Sequence, residues 1–148
     1  LANEAEQELR RLDVEIRLLE QTADALEARI NMINAVQTDS GYANATLETL
    51  EKEKSNAELL VPVGGNSYVR AKLENIDQVI VGIGSGVSVE KTLPEAKETI
   101  KKRIEELTTA RNSFQNQFTQ VAMKIDEDKK KLENILTQLR QGKARKDV

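Results

Sequence analysis

Gly82, Gly84 and Gly86 stand at alternate positions, the opening of the spacing used by dinucleotide-binding loops. Such a loop must lead into a helix whose N-terminus receives the phosphate. Here Val87-Ser88-Val89 follows, a β-branched run, so the glycines read as a hairpin turn instead. The carboxylates Glu105 and Glu106 are adjacent, which on a helix points them apart rather than toward one reacting bond. Lys101-Lys102-Arg103 and Lys129-Lys130-Lys131 lie among Glu and Asp at helical spacing, the pattern of a solvated helix flank rather than a nucleic-acid surface. Asn44-Ala45-Thr46 matches a glycosylation sequon, but no signal-peptide pattern accompanies it. The chain has no Cys and no His, which removes thiolate zinc sites, disulfides and most acid–base constellations. No catalytic residue, metal ligand or cofactor is expected.

Composition points the same way. Charged residues make up 32% of the 148, aromatics only 3%, and Trp is absent. Such a chain is short of the large side chains that fill a globular interior and rich in the residues of long helices. A net charge of −3 is too mild to call for nucleic acid or an anionic membrane. No run approaches the ~20 apolar residues of a membrane span. A cytoplasmic, reducing setting is the expectation.

What the chain must position is therefore a surface rather than a reaction. Between two helical segments, residues 59–63, 67–73, 78–83 and 87–92 are rich in β-branched side chains and joined in pairs by Gly-containing turns, which predicts two β-hairpins. Side chains alternate along a strand. Val69, Ala71 and Leu73 thus share a face of the second run, Val79, Val81 and Ile83 a face of the third, and Val87 and Val89 a face of the fourth. An isolated hairpin is marginal in water, and its open edges invite pairing with other chains. The insert is expected to be an assembly device, with these residues and Val61 building a sheet or barrel with other subunits.

The flanking segments carry heptads. Leu9, Leu12, Ile16, Leu19, Ala23, Leu26, Ile30 and Ile33 alternate by three and four, the seam of a coiled coil. The apolar pattern then slips to Val36, Ser40, Ala43, Leu47 and Leu50, a stammer. Gly41 adds a poor helix former, so a bend or soft spot is expected near 37–41, set against a tolerated irregularity. In the second segment Thr92 and Glu95 have capping-box spacing, with Pro94 in the first turn. Its seam runs Ile100, Ile104, Leu107, Arg111, Phe114, Phe118, Val121, Ile125, Asp128, Leu132, Ile135 and Leu139, and Gly142 marks its expected end. This helix would be roughly 70 Å long at 1.5 Å per residue. Folding the seams back on each other pairs Leu47 with Ile104, Ile33 with Phe118 and Leu12 with Leu139. It also sets the blemishes together, Ser40 against Arg111 and Ala23 against Asp128. The predicted fold is α+β and mainly α: a long antiparallel two-helix coiled coil with two inserted β-hairpins. Its expected parts are 1–57 and 93–148, the coiled-coil helices, and 58–92, the oligomerisation insert.

Several apolar residues fall off the seam: Val14 at an f position, Leu18, Ala25 and Met32 at c positions, and Leu136 at e. An outward apolar strip can be a binding surface, or scattered exposure of the kind all proteins show.

Leu60-Val61-Pro62-Val63-Gly64-Gly65, Tyr68-Val69-Arg70-Ala71 and Val81-Gly82-Ile83-Gly84-Ser85-Gly86-Val87-Ser88-Val89-Glu90-Lys91 resemble the prefoldin (GimC) α subunit of archaeal type. The resemblance covers nearly the whole chain, and two hairpins rather than one match the α class. It implies a hexamer of two α and four β subunits, joined through a β-barrel. It also implies capture of non-native polypeptides at coiled-coil tips without ATP, and their delivery to a group II chaperonin. By region, the client-contacting set would be Leu9, Leu12, Ile16, Leu132, Ile135 and Leu139, to which the outward apolar residues Val14, Leu18 and Leu136 are added. Partners would be β subunits, a second α subunit, clients and chaperonin, with neither nucleic acid nor membrane. The alternative is a structural coiled-coil scaffold or tether that binds one defined partner.

Overall fold

The computed structural model describes residues 2–147. Helix α1 (Ala2–Lys52) is followed by β1 (Glu58–Gly64), β2 (Ser67–Lys72), β3 (Gln78–Gly84), β4 (Val87–Thr92) and helix α2 (Leu93–Lys146). The capping box forms as expected: Glu95 N donates to Thr92 Oγ1 at 3.4 Å, and Thr92 N donates to Glu95 Oε2 at 3.1 Å. It fixes where α2 starts, one residue after β4 ends. Gly142 does not stop this helix, which runs on through Lys146.

β1 pairs antiparallel with β2, and β3 with β4, as two separate two-stranded sheets. The hairpins are built alike. Gly65 and Asn66 at one turn, and Ser85 and Gly86 at the other, all have φ between 52° and 75°, the paired left-handed residues that a tight I′-type hairpin turn requires. A register shift precedes each turn, at Pro62/Gly64 and at Gly82/Gly84.

By contacts the chain divides into a central unit, 35–108, and a terminal unit, 2–34 with 109–147. In the central unit Leu47, Val81, Leu93, Ala96 and Ile100 form a buried cluster, flanked by Ala43, Leu50, Val79 and Ile104. Lys97 Nζ meets Glu51 Oε2 at 3.0 Å across the helix pair. In the terminal unit the Arg29 guanidinium lies 5.5 Å from the Phe114 ring centre, and Lys129 reaches Glu20 at 2.8 Å. In both units α1 and α2 therefore run antiparallel.

Two further sequence-based expectations need correcting. The helices pair about one heptad away from the predicted alignment. Leu47 shares its core with Ala96 and Ile100, and Asp128 lies by Arg11 and Glu15 rather than by Ala23. A heptad seam is nearly equivalent to itself after seven residues, so apolar spacing alone could not choose between these registers. Nor does α1 break or stammer at 37–41: it is continuous. Val36 is exposed, while Gln37 is half-buried and Ser40 buried. The seam thus keeps its strict alternation through Ile33, Gln37, Ser40, Asn44 and Leu47. Gln37 Nε2 donates to Thr108 Oγ1 at 2.8 Å, while Arg111, the predicted neighbour of Ser40, is exposed. Apolar Val36 drew the sequence reading off a seam that is polar there.

Candidate functional site

Two surfaces could do work, one in each unit. On β3 and β4, Val81 is 7% exposed and packs into the helix cluster with Val79 beside it. Val89, its cross-strand partner, is half-buried. Arg103 Nη2 donates to the Gly82 carbonyl at 2.6 Å, and Lys91 Nζ donates to Thr99 Oγ1 at 3.0 Å, so this hairpin is bolted to α2. Val81 was expected at a contact with other subunits; its burial is already complete within the chain.

The other expected assembly residues divide. Val61, Val69, Ile83 and Val87 are exposed, and Ala71 and Leu73 half-buried. Sequence reasoning missed the opposite strand faces, where Leu60, Tyr68 and Ile80 stand exposed, Ile80 at 74%. The missed signal was continuity: 59–63 and 79–81 are apolar at successive positions, which marks strands covered on both faces.

In the terminal unit the expected client set splits three ways. Leu12, at 1% exposure, and Ile16 are sealed in the seam. Leu9, Leu132, Ile135, Leu136 and Leu139 are half-buried. Val14 and Leu18 lie open on α1, as do Met32 (69%) and, on α2, Met123. The seam is zipped, with an apolar ridge outside it.

Charge pairs lace this unit. Glu8 accepts from Arg11 at 2.7 Å, Lys131 donates to Glu127 at 2.7 Å and Lys130 meets Asp126 at 2.9 Å. The hydrogen bond from Arg11 holds the Glu8 carboxyl below its ordinary value, and that from Lys131 does the same for Glu127. Bonding to Asp128 raises Lys124, and bonding to Asp126 raises Lys130. Depressed carboxylates lend stability above their unfolded value of 4.5 and lose it as pH falls through the folded one. Raised lysines lend it below 10.5 and lose it as pH climbs past the folded value. Since Glu8, Lys124, Glu127 and Lys130 themselves reach solvent, the effect is small. The melting temperature of the helical signal is expected to stay flat from about pH 5.5 to 9.5 and to decline on both sides. A maximum at either extreme would contradict the assignment.

Among the described residues no group of three or more His, Cys, Asp or Glu could hold a metal ion, and no helix is long and apolar enough to cross a membrane. A family model described as "Prefoldin subunit" matches residues 19–142. The chain belongs to the prefoldin family, as an α subunit of archaeal type. It is 39% identical over 107 residues to "Prefoldin subunit alpha" of Methanosarcina barkeri, covering 70% of this chain and 74% of that one. It is 34% identical to "Putative prefoldin subunit alpha" of Aquifex aeolicus, covering 82% of each. A chain of a filamentous PFD from Methanocaldococcus jannaschii, determined by cryo-EM, superposes with a TM-score of 0.66 at 28% identity, over 76% of this chain and 93% of that one. Prefoldins are non-catalytic chaperones that work in hetero-oligomeric complexes with β subunits. That accords with a chain that offers apolar faces where an enzyme would offer reactive groups.

Proposed function

We propose that this prefoldin subunit captures non-native polypeptides at the terminal ends of its coiled coil, without ATP, and passes them to a group II chaperonin in the cytoplasm. The observation that carries the reading is the pairing of exposed apolar strand faces in the central unit with the Val14–Leu18 ridge in the terminal one. The strand faces are to be covered by four β subunits and a second α subunit in a shared β-barrel, with Val61, Val69, Ala71, Leu73, Ile83 and Val87, and on the opposite faces Leu60, Tyr68 and Ile80, at the contacts. Val14 and Leu18 touch a client first. Leu9, Leu12, Ile16, Leu132, Ile135, Leu136 and Leu139 join when the ends part. Each ~200 Å² of apolar surface covered is worth about 5 kcal/mol. That is enough to hold a client and little enough to release it.

Shortening the chain to residues 20–125, which are level in the observed register, is expected to leave assembly intact. It should abolish suppression of client aggregation, read by light scattering with two unrelated unfolded proteins. Wild-type suppression by the shortened complex would refute capture at the ends. The scaffold reading has one observation in its favour, the sealed Leu12–Ile16 seam. It predicts one stoichiometric partner and no protection of assorted clients.

A further inference from the structure

Asp128 occupies a seam position on α2 and is 0% exposed. Its Oδ1 accepts from Lys124 Nζ at 2.7 Å, while its Oδ2 is buried with no hydrogen-bond partner. Lys124 is shared, since it also reaches Glu15 Oε1 on α1 at 3.8 Å. The α1 residues buried at this level are Leu12 and Ile16. Heptads ask for Leu at such a position, and a carboxylate left half-satisfied in a closed interface forfeits both the packing and part of its solvation. Between Asp128 and the described chain ends, no described residue is fully buried on α2, and Leu12 is the outermost buried residue on α1. The outer turns lean on the layer that Asp128 weakens.

We propose that Asp128 is a built-in weak layer, hydrogen-bonded to Lys124 alone, that sets how readily the terminal seam opens. Opening would expose the sealed Leu12 and Ile16 side chains as one step. The layer itself is a property of this chain; its link to client capture rests on the function proposed above.

The test is amide hydrogen exchange on the full-length chain in its assembled form. Asp128→Leu should slow exchange across 9–16 and 124–139 at least tenfold, with 93–104 unchanged. Lys124→Met, which strips the carboxylate of its one hydrogen bond, should speed the same amides at least tenfold. Exchange in D128L at the wild-type rate or faster, or both variants moving in the same direction, overturns the proposal. In aggregation assays D128L should hold clients several-fold less well than wild type. A D128L complex with slowed exchange and undiminished holding overturns the coupling to capture. Wild-type complex that protects no client refutes the function proposed above and leaves the exchange comparison standing.

Discussion

Val81→Lys detaches the second hairpin from the helices. The substitution gives up about 1.5–3 kcal/mol of apolar burial and places an ammonium where the cluster of Leu47, Leu93, Ala96 and Ile100 offers no acceptor side chain. An unpaired buried charge adds several kcal/mol more. The neighbours make it worse: Lys91 lies across from Val79, and Arg103 is bonded to the Gly82 carbonyl. A loss above ~4 kcal/mol is expected, enough to free β3 and β4 from the central core. Limited proteolysis should then cut within 77–92, while circular dichroism keeps most of its helical signal. Ile80→Lys is the control on the opposite strand face. At 74% exposure it should change chain stability by less than about 0.5 kcal/mol, yet break the complex when mass is measured. If I80K left the complex whole, the outer strand face would not be its contact.

Leu12→Ala carries the second large effect. Leu12 is one of the two largest fully buried side chains among the described residues, and truncating such a Leu costs about 2–5 kcal/mol. The loss should stay local. Amides of 2–16 and 128–146 are expected to exchange at least ~30-fold faster, given a decade per 1.36 kcal/mol. Those of the central hairpins should keep their rates. Uniform acceleration throughout would show that the seam unzips as one block and that the terminal unit has no stability of its own. If open ends are the capturing form, L12A should hold clients at least as well as wild type despite its lower stability.

These two residues mark the boundary of what the sequence could say. Three–four alternation over Leu9 to Ile33 and Ile100 to Leu139 demanded two long helices with a shared seam. β-Branched runs around Gly-containing turns demanded two hairpins, and Thr92 with Glu95 located the start of α2. Those are local signals, because capping, turn chemistry and side-chain period act within a few residues. The tertiary structure alone decided the register, since a heptad repeat looks the same one heptad on, and contacts such as Leu47 with Ala96 and Ile100, or Gln37 with Thr108, break that tie. It also decided that Gln37 takes the seam position next to exposed Val36, that Val81 turns inward while Ile80 faces out, and that a carboxylate is sealed beside Leu12. Each of these depends on which neighbour arrives from far along the chain. Residue type fixes what a side chain can bury against, and the partner element fixes whether it does.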